Sequence, residues 1–295
     1  MNKGILYMII SGLSFMIVNF FVKLLGSTNS IDWFGNLQQY PAHELILARS
    51  IVSFSISFYI IKKRNLPLFG VNKKWLLVRG FAGIIALTLF FYTILNLPLV
   101  VAMVLQYLSP IFTVVLAIFI LKERVRALQW LLILIAFIGV GVISYDKIMN
   151  PELGEQISLF RIGLAILSSA FSGLAYVAIV KLKPTDSPIN IVAYFPMLAI
   201  PVMTIWCFYE FTFPSGIEWL ILLIIGIFTQ IAQVMMTKAF HEGPTATVAP
   251  FQYLGAIYGF FISFFVFDER LSFVVYIGIV IILIGVVVNS LLRKA

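Results

Sequence analysis

The sequence predicts an all-α integral membrane protein: ten transmembrane helices arranged as two inverted five-helix repeats. Three observations carry this expectation. The 295 residues are 62% hydrophobic and only 11% charged, with a mean hydropathy of +1.07; a soluble domain of this size could not bury that much apolar surface. About ten apolar segments reach the roughly 17–25 residues that a helix needs to cross a bilayer. One stretch, moreover, is written twice. Gln106-Tyr107-Leu108, Lys122-Glu123-Arg124, Gly139 and Ser144 recur as Gln252-Tyr253-Leu254, Asp268-Glu269-Arg270, Gly285 and Ser290, at a constant offset of 146. From Pro98 and Pro244 onward the alignment needs no gap, and about a third of its positions are identical. Internal repeats in polytopic membrane proteins are the usual architecture of secondary transporters, with the substrate site between the halves.

The predicted spans are 4–25, 44–61, 75–95, 99–121 and 127–145, then 159–181, 189–208, 217–239, 246–266 and 272–292. The first reads as a retained span and not a secretory signal, because the apolar run continues to Leu25 without a small-x-small cleavage site. Asn96-Leu97-Pro98 separates spans three and four, and His241-Glu242-Gly243-Pro244 separates eight and nine. Both place a proline at the start of the following helix, where its missing N–H costs nothing. A single helix bent at that proline is the alternative, but about 45 apolar residues are too many for one crossing. The organisation that follows is a first five-helix repeat over 1–145, an external polar linker over 146–158, and a second repeat over 159–295.

Of the 20 Lys and Arg residues, fifteen fall on one side of these spans and five (Lys23, Arg49, Lys147, Arg161 and Arg270) on the other. Cytoplasmic loops collect the positive charge, so both termini are expected in the cytoplasm and the protein in the cytoplasmic (inner) membrane. Five is an odd number of spans, so the second half enters the membrane upside down. Lys122-Glu123-Arg124 then lies inside and Asp268-Glu269-Arg270 outside. Two related shapes exchanged between inverted halves amount to alternating access.

Other function classes find little support. The net charge of +8 reads as topology, so nucleic acid is not an expected partner. The single cysteine, Cys207, allows no internal disulfide and belongs to no metal-ligating cluster, and no metal or other cofactor is expected. There is no HExxH motif, no paired intramembrane aspartates, no Ser/His arrangement and no Walker sequence, so an enzyme or an ATP-driven pump is not expected. No repeated filter-like loop suggests a channel.

Intramembrane polar residues mark candidate sites, because each is expensive in hydrocarbon. Arg49 lies five residues beyond Glu44, about 7–8 Å of helical rise. It meets a substrate carboxylate, pairs with Glu44 or snorkels to the headgroups. Arg79, four residues into span three, reads as a snorkelling residue. Asn19 in span one, Gln230 and Gln233 in span eight, and the repeat pair Gln106-Tyr107 and Gln252-Tyr253 form a polar set on cavity-type helices. Individually each amide could be helix–helix glue; together they suggest a wet binding site. Gly139, Gly141, Gly278 and Gly285 read as packing positions on spans five and ten.

Leu108-Ser109-Pro110 followed by Leu121-Lys122-Glu123-Arg124, its echo Asp268-Glu269-Arg270, and the glycine-bearing spans behind each resemble the EamA family of the drug/metabolite transporter superfamily. Arg49 early in span two, and Lys23 and Lys181 closing the first span of each half, add to the likeness, which covers essentially the whole chain. It implies a ten-helix, two-basket fold with a central cavity lined by spans one to four and six to nine, buttressed by five and ten. It also implies a kink in span four that Leu254-Gly255-Ala256 need not share. The function expected is a secondary transporter that moves a small polar metabolite (amino acid or organic anion class) by alternating access. A carrier or flippase of a lipid-linked or amphipathic compound is the alternative. The expected partners are a small-molecule substrate and the lipid bilayer, for a monomer or homodimer.

Overall fold

The computed structural model describes residues 3–26, 37–121, 127–149, 158–242, 254–268 and 271–292, and every regular element among them is a helix. The first half supplies α1 (Lys3–Gly26), α2 (Ala42–Lys63), α3 (Lys73–Asn96), α4 (Leu99–Gln106), α5 (Ser109–Leu121) and α6 (Ala127–Met149). The second supplies α7 (Leu159–Leu182), α8 (Pro188–Cys207), α9 (Glu218–Glu242), α10 (Leu254–Phe265) and α11 (Phe273–Leu292). Among the described residues, seven helical stretches are long and apolar enough to cross a membrane: Lys3–Gly26, Ala42–Lys63, Lys73–Asn96, Leu99–Ile120, Leu159–Leu182, Pro188–Cys207 and Glu218–Glu242. Trp130–Ile143 and Phe273–Gly285 are shorter apolar helices, and span 246–266 is described only from Leu254. Large apolar side chains such as Phe119, Phe265 and Phe273 point outward and are more than 70% exposed. Lipid is the solvent that suits such a surface.

The chain does break before Pro98. Leu97 turns to an extended conformation (φ −124°, ψ 159°), and Pro98 is the N-cap of α4. The carbonyls left open at the end of α3 find cations: Lys23 Nζ donates to Leu97 O at 2.7 Å and Arg161 Nη1 to Asn96 O at 2.9 Å. Positive charge at a helix C-terminus is favoured by the helix dipole as well. The predicted fourth span is itself two helices. Pro110 has no N–H to offer the Gln106 carbonyl one turn back, so the i→i−4 ladder cannot pass. The last turn of α4 tightens, Tyr107 N donating to Met103 O and Val104 O, and Leu108 N to Leu105 O. The break leaves Tyr107 and Leu108 outside regular helix at the centre of the fold, directly after Gln106 ends α4. Leu99 through Leu105 are all buried, as an all-round apolar helix demands.

Around α4 the long helices pack in pairs: α1 against α9, α3 against α7, α2 against α8, and α6 against α11. Further contacts join α2 to α9, α3 to α8, α5 to α7 and α1 to α10. Small residues bring these backbones together. A Cβ on Gly139 would lie 2.7 Å from the Gly278 carbonyl oxygen, and one on Gly285 would lie 2.8 Å from the Leu132 carbonyl oxygen, so α6 and α11 touch backbone to backbone. Gly139, Gly278 and Gly285 therefore serve as packing positions. Gly141 does not: it is exposed, with no neighbour within 4 Å of its would-be Cβ.

Polar contacts close both ends of the helix bundle. At one end Glu218, at the start of α9, accepts from Gln38 N (2.6 Å), the Tyr40 hydroxyl (2.7 Å) and Ser215 N (2.7 Å), while Glu44 accepts from Thr212 N (2.9 Å). At the other end Asp186 accepts from Val71 N (2.6 Å) and Asn72 N (3.1 Å). Carboxylates on backbone N–H groups are among the stronger hydrogen bonds.

Candidate functional site

Between these two polar ends lies a cavity of about 150 Å³, walled by α1, α2, α3, α4, α5, α7, α8 and α9. Much of its wall is adaptable and apolar: Met8, Phe15, Met16, Phe90, Met103 and Met236. Its polar groups are concentrated on two arginines, three amides and two tyrosines.

Arg49 is 1% exposed and projects from α2 into this cavity. Its guanidinium carbon lies 5.4 Å from the centroid of the Phe91 ring and 5.6 Å from that of Phe195. Two aromatic faces thus steady the cation while leaving the edges of its plane available. Its Nε has no hydrogen-bond partner. Pairing with Glu44 does not occur: among the described residues no ion pair joins them, and Glu44 is engaged by Thr212. Snorkelling does not occur either, since the guanidinium stays inside.

Arg79 overturns its expectation outright. It does not reach for the headgroups but is 4% exposed, lines the cavity, and donates from Nη2 to Gln233 Oε1 at 3.2 Å. The reason is local packing. Gly80 and Gly83 strip side chains from this part of α3, where a Cβ would lie 2.4 Å from Leu198 and 2.9 Å from Phe195 respectively. The arginine folds into the space they leave.

Of the predicted site residues, Arg49, Asn19, Gln106, Tyr107 and Gln233 line this cavity together. Asn19 has no hydrogen-bond partner among the described residues, and its amide opens to the cavity. Gln106 bridges α4 to α7, donating to Ser172 Oγ (2.7 Å) and accepting from Ser168 Oγ (2.9 Å). Tyr107 aims its hydroxyl at Gly255, where a Cβ would stand only 2.1 Å away. Gln230 does not belong to the cavity. Its amide accepts from Ser53 Oγ and donates to Ser57 Oγ at 2.8 Å, tying α9 to α2. Those serines sit one turn apart on the α2 face that meets α9, and they satisfy both ends of the amide. Gln252 and Tyr253 lie outside the described residues. Sequence reasoning missed Tyr176, Ser109 and Ser172, which also line the cavity.

At the edge of the membrane-spanning region, burial, followed by the hydrogen bond from Tyr40 to Glu218 and the negative charge of that carboxylate, pushes the Tyr40 hydroxyl up. It is a hydrogen-bond donor under all ordinary conditions.

A family model for EamA-like transporters matches residues 2–145 and again 159–291. The chain belongs to the EamA-like transporter family. It is an integral membrane protein and a transporter. Among similar EamA-like relatives, the pseudopaline exporter CntI of Pseudomonas aeruginosa is 29% identical over 264 residues, covering 88% of this chain and 85% of its own. The riboflavin transporter of Vibrio cholerae is 26% identical, covering 85% of this chain and 80% of its own. An S-adenosylmethionine uptake transporter of Rickettsia prowazekii is 28% identical over 65% of this chain and 63% of its own. A solved crystal structure shares the fold with a TM-score of 0.63 at 18% identity, covering 96% of this chain and 97% of its own. The named cargoes of these relatives differ from one another, so membership of the EamA-like family leaves the cargo to be read from the cavity.

Proposed function

We propose that this chain is a secondary transporter that carries a small carboxylate-bearing metabolite across the cytoplasmic membrane by alternating access. The observation that carries the reading is Arg49, a fully buried guanidinium in the central cavity with no ionic or hydrogen-bonding partner. A charge left unpaired in the membrane interior is costly and marks a functional position. The planar fork of arginine suits a carboxylate in two-point contact.

Alternating access requires two related halves, and we read the chain as two inverted five-helix repeats, 1–145 and 159–295, joined by the linker 146–158. The helix pairing supports this. Exchanging each helix for its repeat counterpart turns the α1–α9 pair into α7–α3 and the α2–α9 pair into α8–α3, and both partners of each exchange are contacts in the fold. The crossing of α6 and α11 supports it at single-residue level. Gly139 meets Gly278 and Ile282, while Gly285 meets Leu132 and Ala136. Adding or subtracting 146 converts one set into the other.

An amphipathic or lipid-linked cargo is the second reading, favoured by the methionine and phenylalanine walls of the cavity. Transport by the purified protein in liposomes separates the two. Arg49→Lys keeps the charge but loses the fork, and is expected to lower carboxylate flux while expression stays normal. Unchanged flux in Arg49→Ala would sink the carboxylate reading. Cysteines at Gly154 and Asn65 are expected to label from opposite sides of intact cells, with the termini on the cytoplasmic side.

A further inference from the structure

Resting on that carboxylate reading, we infer that the cavity is a two-charge site: it takes a compact dicarboxylate, one acidic group facing Arg49 and the other Arg79. Charge bookkeeping leads there. Two guanidiniums line one cavity, and among the described residues its lining contains no Asp or Glu. Three acidic side chains among the described residues are buried: Glu44, Asp186 and Glu218. Each lies at a bundle end outside the cavity lining: Glu44 accepts from Thr212 through Oε2, its Oε1 having no partner, Asp186 accepts from Val71 and Asn72, and Glu218 from Gln38, Tyr40 and Ser215. Among the described residues, no acidic side chain of the lining neutralises these two positive charges.

The donor geometry fits the same occupant. The Nε atoms of both Arg49 and Arg79 are buried without a hydrogen-bond partner. An arginine fork binds a carboxylate through its Nε and one terminal nitrogen, so each side chain has a donor set lacking its acceptor. The two cations are held by different partners, Arg49 between Phe91 and Phe195 and Arg79 by the Gln233 amide. A monocarboxylate would leave one cation uncompensated. A zwitterionic amino acid would leave both charges uncancelled overall and bring its ammonium among cations, with no carboxylate among the described lining residues to receive it. A second acidic group removes the mismatch.

The test uses the purified full-length protein in detergent. Thermal stabilisation is titrated with the straight-chain dicarboxylates from malonate to adipate, each against its own monomethyl ester, with alanine as the zwitterion. A ligand that binds the folded state raises its melting temperature in proportion to its affinity and concentration. At least one dicarboxylate is expected to bind about tenfold or more tightly than its half-ester, the order of one additional charge-assisted hydrogen bond, and alanine is expected to bind weakest. In Arg79→Gln the dicarboxylate and half-ester affinities are expected to converge. Should Arg79→Gln not fold, the wild-type comparison decides alone. Equal binding of every dicarboxylate and its half-ester overturns the two-charge site and leaves the carboxylate reading standing. Absence of stabilisation by any of these acids, together with unchanged flux in Arg49→Ala, overturns both.

Discussion

Gly83 keeps clear the space into which the Arg79 guanidinium folds: a Cβ on residue 83 would lie 2.5 Å from Arg79 Nη1. The two residues are one helical turn apart on α3, and both line the cavity. Because the nearest atom is the far end of a flexible side chain and the next, at 2.9 Å, is the edge of the Phe195 ring, Gly83→Ala should move these side chains more than the helix. Alanine also favours helix by about 1 kcal/mol over glycine, which offsets part of the crowding. Carboxylate transport in liposomes is expected to fall several-fold, with the melting temperature within a few degrees of wild type. A loss of stability with flux per folded molecule intact would mean that the position of Arg79 does not matter for transport.

Gln230→Leu separates glue from site. The amide joins α9 to Ser53 and Ser57 of α2 and faces away from the cavity. Interhelical hydrogen bonds of this kind contribute about 0.6–1.7 kcal/mol in membrane proteins. The variant is expected to lose stability in that range while the KM for transport stays within about twofold. Gln233→Leu, three residues away, removes the partner of Arg79 and is expected to raise KM.

That contrast shows where the sequence was legible and where it was not. Both glutamines sit in the middle of one apolar helix, about 60° apart around its axis. Sequence alone treats them alike, because a buried amide needs a partner but does not say which. The discriminating signal lay on another helix, in the serines of α2, and only packing joins the two. Arg79 failed for a related reason. A long cation near a helix end has two ways to reach a polar environment, and distance from the membrane edge does not choose between them. Gly80 and Gly83 marked the inward face, but that mark means something only once α8 is known to lie against it. By contrast, the break before Pro98, the apolar spans and the packing of Gly139 and Gly285 follow from local chemistry and were readable directly. At Pro110 the family resemblance implied a kink, and the ladder instead separates into α4 and α5.

Gly139→Ala and Gly285→Ala are expected to be equally damaging. In each case the new Cβ would press on backbone atoms of the facing helix, Gly278 O and Ile282 N for the first, Leu132 O and Ala136 N for the second, at 2.7–2.8 Å. Backbone cannot rotate away as a side chain can, so the crossing must widen, at a cost of about 1–3 kcal/mol. Gly141→Ala meets nothing and is expected to leave stability unchanged or slightly raised. Thermal denaturation of the three variants in one detergent checks this. Unequal losses at 139 and 285 would count against the 146-residue exchange symmetry.

Tyr40 and Glu218 make a pH-dependent prediction at the membrane boundary. The Tyr40 hydroxyl donates to Glu218 Oε2 at 2.7 Å, and burial together with that carboxylate raises its pKa. A group whose folded pKa is raised contributes stability that is fully present below its unfolded pKa, about 10 for tyrosine, and lost as pH climbs toward the folded value. Removing the hydroxyl in Tyr40→Phe still leaves Glu218 the Gln38 and Ser215 donors, so the carboxylate is not orphaned. The cost is that of one hydrogen bond to a charged acceptor, about 1.5–3 kcal/mol. Wild type is therefore expected to exceed Tyr40→Phe by a constant margin from pH 6 to about pH 9, and the margin should shrink above about pH 10 as tyrosine ionises in the unfolded chain. Denaturation of both proteins across that range is the measurement. A margin that disappears near neutral pH would rule out Tyr40 as the titrating group.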